Sequence, residues 1–299
     1  MNPTRPGTLL KQKIQERRGL VVAGAANALA ARVIRQLGFE AVYLSGAGIT
    51  NTFYGLPDMG FITLGDLAQH TAAVRDCVEL PIVVDADTGF GNELNVRHTV
   101  RTLERAGANA IQLEDQTSPK KCGHFNDKSV IGAVEAASKI KAAVDARAND
   151  DFLVIARTDA RAIDGFEAAI ERAQLFIEAG ADLTFVEAPT SVDEIRRIPQ
   201  ALAVPQLVNV VIGGKTPTLD ASELGRMGYG MVLYANAALQ GALLGMTAAL
   251  ARLRDTGRLD EDSGLVASFT ARQQLVQKDL FDELATTYGT PVTPSERRS

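Results

Sequence analysis

Eight short apolar runs, at residues 19–23, 41–44, 81–85, 110–114, 152–157, 183–187, 206–209 and 231–234, recur along the chain with helix-period stretches between them. Runs this short and continuously apolar read as strands buried on both faces. Alternation with amphipathic segments such as 164–179 pairs them in parallel through right-handed helical crossovers. Eight repeats in 299 residues predict a (β/α)8 barrel, a TIM-type α/β fold, rather than an open sheet. Ala-Gly-Ala at 106–108 and again at 179–181 predicts helix ends there, the glycine supplying the left-handed closing residue. No linker divides the chain, so one barrel domain is expected over 1–299, with a helical extension at 237–290, interrupted near 255–264, and a flexible tail at 291–299.

The polar composition narrows the partners. With a net charge of −5 and Lys and Arg spread through the helical segments, no basic stripe for nucleic acid or an anionic membrane is present. A small-molecule partner is expected instead. Two cysteines, Cys77 and Cys122, are too few for a disulfide scaffold, and neither a secretory apolar segment nor an 18-residue uncharged apolar run occurs. A reducing cytoplasm is the expected location.

The chemistry begins at Asp85-Ala86-Asp87-Thr88-Gly89-Phe90-Gly91, which follows directly on Pro81-Ile82-Val83-Val84. Two residues one apart on a strand share a face, so two carboxylates leave a buried strand together. Buried carboxylates need a cation, and Mg²⁺, a hard ion that often takes one or two carboxylates plus substrate oxygens, suits them, with Mn²⁺ as an alternative. Ser45, Glu114 and Asp115, Arg157 and Asp159, Glu187, and Asn209 end other apolar runs in the same way. Any one of these could be a helix cap or turn residue. Six strand ends carrying such groups together point to the C-terminal face, where barrels build active sites.

After the fourth run comes Lys120-Lys121-Cys122-Gly123-His124. A lone cysteine is usually an inert small hydrophobe, but a thiol beside cations in a polar loop has its thiolate favoured, which suits proton transfer or nucleophilic attack. Cys77, in a segment expected to be helical, is read as structural, as are His70 and His98 in helical segments without partners at metal spacing. Two glycine motifs fail: Gly46-Ala47-Gly48 lacks the third glycine of a dinucleotide fingerprint, and Gly214-Lys215-Thr216 lacks the first glycine of a P-loop. The loop 46–48 could still present backbone N–H groups to a carboxylate.

Taken together, Tyr43-Leu44-Ser45-Gly46, Gly55-Leu56-Pro57-Asp58, the 85–91 stretch, Leu113-Glu114-Asp115-Gln116, the 120–124 loop and Ala156-Arg157-Thr158-Asp159-Ala160 resemble the isocitrate lyase and phosphoenolpyruvate mutase superfamily over about residues 10–250. The cysteine loop resembles its short-chain lyases, which act on 2-methylisocitrate and 2-alkylmalates such as 2,3-dimethylmalate. The resemblance implies that Asp85 and Asp87 hold the metal, directly or through water, with Glu114 and Asp58 completing its shell. It implies that Tyr43, Ser45, Gly46 and Ala47 seat the carboxylate of a 2-oxoacid, with Arg157 near the substrate oxygens. Cys122 would protonate the carbanion released by C–C cleavage, and Lys120, Gly123, His124, Glu187 and Asn209 would line the rest. A barrel whose last helix is exchanged with a neighbouring subunit, in a dimer or tetramer, is also implied.

Departures from the family bear on the substrate. Ile212 stands where related lyases carry a glutamate, Tyr234-Ala235-Asn236 replaces a frequent Tyr-Pro, and Gln240 stands where methylisocitrate lyases have arginine. A 2-alkylmalate is therefore expected over a tricarboxylate, with Ile212 packing an alkyl group if it faces the pocket. The principal expectation is a Mg²⁺-dependent retro-aldol lyase giving pyruvate or a related 2-oxoacid. Oxaloacetate decarboxylation or phosphorus–carbon rearrangement on the same scaffold is the alternative, and a non-catalytic metabolite-binding role the third reading.

Overall fold

A computed structural model of the chain describes residues 5–123 and 127–289. The expected barrel is present: β1 (Leu20–Ala25), β2 (Val42–Leu44), β3 (Ile82–Asp85), β4 (Ala110–Glu114), β5 (Leu153–Thr158), β6 (Leu183–Val186), β7 (Gln206–Asn209) and β8 (Tyr229–Tyr234) close in sequence order, all parallel. Each predicted run overlaps one strand, with β1 and β5 ending one or two residues later and β8 starting two residues earlier than the runs. The 164–179 segment folds as the helix Phe166–Glu178. Gly107 and Gly180 close their helices at φ 103° and 101°, the left-handed region that glycine enters without a steric cost.

Burial explains why the runs are so uniformly apolar. Side chains on the outer faces of the strands pack under the surrounding helices, as Val42, Val84, Ile111 and Val154 do with Leu67, Leu103 and Phe176. Those on the inner face form a second cluster with Val22, Tyr43, Val83, Ile155, Phe185, Leu207 and Met231. Truncating Phe176, 1% exposed, to alanine would cost about 3–5 kcal/mol through lost transfer energy and a cavity. The helix Pro6–Gln15 precedes β1, and its Leu10 and Ile14 join the inner cluster. Apolar side chains thus plug the barrel's N-terminal end, and polar chemistry is left to the other.

Cys77 corrects one expectation. The helix Leu64–Arg75 stops short of it, and Cys77 lies in the following turn, half-buried against the core. His70 and His98 are helical as expected, and the His70 ring meets Phe53 edge-on at 5.4 Å.

Two compact units are distinguished, one running to Gly241 and the other starting at Ala242. The second holds most of the helix Ala237–Thr256 and the helices Phe269–Leu275 and Lys278–Tyr288. Within it Leu243, Leu244, Met246, Leu250, Phe269 and Phe281 are each more than half exposed. Among the described residues no helix is long and apolar enough to cross a membrane.

Candidate active site

Polar residues stand at the C-terminal ends of the strands. Asp85 closes β3, Glu114 closes β4 and Asn209 closes β7, while Arg157 lies in β5. Ser45, Asp87, Asp159 and Glu187 sit one or two residues past their strands. Parallel register sets Glu114 beside Arg157 and Asp85 beside Gln112. Asp87 has a φ of 47°, a left-handed conformation that Asp tolerates better than most residues. Gly46 lies against the pair, since a Cβ there would stand 3.3 Å from Asp87 Oδ1 and 3.5 Å from Asp85 Oδ2. Backbone can therefore approach both carboxylates.

Buried charge is distributed unevenly across this mouth. Lys120 Nζ lies 2.5 Å from Asp58 Oδ1 and 2.9 Å from Asp87 Oδ1, with both the lysine and Asp87 buried. Burial still outweighs that lysine and pushes the Asp87 carboxyl up to about 7, with Asp85 and Asp58 adding to the rise. Glu114 is pushed well above the carboxylate range by burial, against the pull of Arg157. Arg157 reaches three carboxylates: Asp159 Oδ2 at 2.9 Å from Nε, Glu114 Oε2 at 3.3 Å from Nη1, and Glu187 Oε1 at 3.8 Å from Nη2. The ammonium of Lys120 and the guanidinium of Arg157 are held charged because these carboxylates outweigh their own burial. Burial and Asp85 raise the Tyr43 phenol well above its usual range, so it stays a donor.

The loop after β4 reaches into the same place. Gln116 clips it, donating from Nε2 to the Lys121 carbonyl at 2.8 Å and accepting the Lys121 N–H at 3.0 Å. A Cβ on Gly123 would strike the Arg157 guanidinium and the Glu187 carboxylate, so only glycine lets the peptide after Cys122 sit there. Cys122 itself is half-buried. His124 lies outside the described residues.

Several expected features take a different form. The 46–48 loop is the short helix Gly46–Ile49, and Ser45 Oγ accepts the Gly48 N–H at 3.1 Å. That amide serves the cap rather than a substrate, while Gly46 and the half-buried Ala47 stay beside the carboxylates. Asp115 faces away from Glu114: its Oδ1 accepts the Asp159 N–H at 2.9 Å and its Oδ2 lies 3.4 Å from Arg172 Nη1, outside the barrel. Ile212 does not pack in a pocket, because it rides a turn after β7 with 54% of its surface exposed. Lys128 was not anticipated: its ammonium meets Asp159 Oδ1 at 2.6 Å, both side chains being buried. Nor was Gln112, whose Nε2 donates to Asp85 Oδ1 at 3.5 Å from the strand beside it. Only the Gln112 position, one strand residue before Leu113-Glu114, carried a readable hint.

A divalent metal is compatible with this donor set. Among the described residues no three His, Cys, Asp or Glu side chains form a complete ligand group. Mg²⁺ keeps several waters and takes one or two carboxylates plus substrate oxygens, a demand that the adjacent Asp85 and Asp87 carboxylates can meet. Glu114 Oε1 and Asn209 Oδ1 are buried without a hydrogen-bond partner, and an unmatched buried acceptor is costly. With Asp87 raised to about 7 by burial even beside Lys120, that one ammonium does not offset the carboxylates around it.

Residues 10–254 match the family described as phosphoenolpyruvate phosphomutase. The chain belongs to the phosphoenolpyruvate mutase/isocitrate lyase superfamily. It is 43% identical over 282 residues to 2-methylisocitrate lyase of Aeropyrum pernix, covering 94% of this chain and 85% of that one. To 2,3-dimethylmalate lyase of Eubacterium barkeri it is 42% identical, covering 77% of this chain and 80% of that one. A crystal structure of 2,3-dimethylmalate lyase superposes with a TM-score of 0.90 at 31% identity, covering 96% of each chain. Phosphonopyruvate hydrolase in complex with oxalate and Mg²⁺ superposes at 0.86 and 29% identity, over 96% of this chain and 100% of that one. The superfamily member described here is an enzyme of the carbon–carbon lyase kind.

Proposed function

We propose that this enzyme is a divalent-metal-dependent lyase that splits a 2-hydroxy-dicarboxylate of the 2-alkylmalate or methylisocitrate type into pyruvate or a related 2-oxoacid plus a carboxylic acid. One observation supports it most directly. The peptide after Cys122 presses on Arg157 and Glu187, while Arg157 also reaches Glu114, a member of the cation-poor carboxylate cluster. The two relatives named for 2-methylisocitrate and 2,3-dimethylmalate support the same substrate class.

Asp85 and Asp87 would hold Mg²⁺ or Mn²⁺, with Glu114 and Asp58 in its outer shell, and the bound ion supplies a Lewis acid for charge on the 2-oxoacid side. Tyr43, protonated, donates to the 2-oxoacid carboxylate, beside the backbone of Ser45, Gly46 and Ala47. Arg157 offers its charged fork to the substrate's oxygens. In retro-aldol cleavage the substrate hydroxyl loses its proton to become the 2-oxoacid carbonyl as the C–C bond breaks, its electron pair leaves on the departing carbon, and the Cys122 thiol gives that carbon a proton, the proton released from the hydroxyl restoring the thiolate to the thiol. Lys120 holds Asp58 and Asp87 in place; its ammonium, kept charged by those carboxylates, is unsuited to imine formation, which needs a neutral amine. Glu187, Gly123 and Asn209 complete the lining, and His124 is assigned to the same set by the family resemblance alone. Ile212 and Gln240, both exposed, add no charge, which favours a small 2-alkylmalate over a tricarboxylate.

The test is a panel of 2-alkylmalates, 2-methylisocitrate and oxaloacetate assayed for 2-oxoacid release with Mg²⁺ and after chelation. Cleavage of at least one 2-hydroxy-dicarboxylate, lost on chelation, is expected. Release unaffected by chelation would reject the reading. The bare apolar surface of the second unit also supports helix exchange with a second copy of the chain, so a dimer or tetramer is expected by sedimentation equilibrium.

A further inference from the structure

Lys128 is more deeply buried than a loop lysine has reason to be. Its side chain is 2% exposed and that of Asp159 fully buried, with 2.6 Å between Nζ and Oδ1. The same ammonium donates to the carbonyl of Gly123. Arg157 binds both oxygens of Asp159, from Nε at 2.9 Å and Nη2 at 3.1 Å. The segment bearing Lys128 is itself anchored. Thr117 N–H donates to Ser129 at 2.9 Å, Ile131 N–H donates to Asp115 at 2.9 Å, and Gln116 bridges Val130. Lys128 therefore runs from a fixed base to two different parts of the site, the peptide following Cys122 and the carboxylate that orients Arg157.

A buried ammonium without partners is prohibitively costly, and with them it fixes geometry. Gly123 is held against Arg157 and Glu187 with no room for a side chain, so a small shift of its carbonyl moves the Cys122 thiol relative to the guanidinium. We propose that Lys128 is a positioning residue that fixes the Cys122–Gly123 peptide beside Arg157 and divides the Asp159 carboxylate with that arginine. Its consequence for turnover rests on the assignment of Cys122 as proton donor; its structural half does not. Asp58, Asp85 and Asp87 make no contact with Lys128 in this arrangement, so metal affinity should be spared.

The substitutions are Lys128→Met, which keeps the stem and removes the charge, and Lys128→Arg. In the Met variant the rate of Cys122 alkylation by iodoacetamide, followed by peptide mass spectrometry with Cys77 as internal control, should change by about fivefold or more, the scale of one lost hydrogen bond. On a cleaved 2-alkylmalate, kcat should fall about 100-fold, as misplacement of a reacting group by an ångström does. KM and Mg²⁺ affinity should stay within about threefold, with the Arg variant recovering part of the loss. Alkylation within about twofold of the parent would overturn the proposal whether or not any lyase substrate is found. Should the Met variant fail to fold, acetylation of the unsubstituted protein serves: Lys128 should react at least about tenfold more slowly than the exposed Lys141, and equal rates would overturn it.

Discussion

Asp87 and Asp159 are the same residue type, both buried, past strand ends two apart in the barrel, and their protons behave oppositely. Burial pushes Asp87 up to about 7 although Lys120 stands beside it. Burial pushes on Asp159 as well, but the Arg157 guanidinium and Lys128 ammonium overcome it and hold the carboxyl below its usual value. Two cations suffice where one, facing several carboxylates, does not. The half of the mouth around β3 is thus built short of positive charge, and the half around β5 is internally settled. Only the first has a use for an added cation.

Four substitutions probe that contrast. The largest effect is expected away from both aspartates: Cys122→Ser should lower 2-alkylmalate turnover by about 10³-fold through loss of the acid. Retained turnover would favour the decarboxylase or mutase alternative. Asp159→Asn leaves two buried cations sharing a neutral amide, so stability should fall by about 3–5 kcal/mol in denaturant melts, with Mg²⁺ affinity little changed. Asp87→Asn should do the reverse, weakening Mg²⁺ about 10- to 100-fold by calorimetry, the range seen when a metal site loses a supporting group, with little loss of stability. If both asparagine variants behaved alike, the division of the mouth into two halves would be wrong.

The smallest effect concerns Asp115, raised from 3.8 to about 6 by burial. Its folded state binds the proton more tightly than the unfolded chain, so its contribution to stability grows as pH falls through 6 and is lost as pH rises. Relative to Asp115→Asn, the parent should gain about 1 kcal/mol between pH 7 and 5. A constant difference across that interval would show that the carboxyl titrates normally.

The barrel was readable because its information is local: apolar runs, helix periods and the glycines at 107 and 180 each act within a few residues. The polar strand ends of the site were readable for the same reason, since Asp85, Glu114 and Asn209 are the last residues of their strands. What escaped depends on distance along the chain. Lys128 finds Asp159 across 31 residues, and no periodicity announces such a pair. Asp115 follows Glu114 yet faces the other side, a matter of strand pleat that a polar strand end does not reveal. Ser45, expected beside a substrate carboxylate, also caps Gly48, a use that asks for the same short oxygen-bearing side chain at a strand-to-helix turn and that its type alone does not distinguish.

The left-handed backbone at Asp87 limits what could ever stand there. Asparagine enters that region at little expense and glycine at none, whereas a longer or branched residue is held back by about 1–2 kcal/mol before its side chain meets anything. Glutamate, which would keep the charge and lengthen the arm by one carbon, is therefore a poorer replacement than its chemistry suggests. At this corner of the barrel the peptide conformation, as much as the carboxylate, chooses the residue.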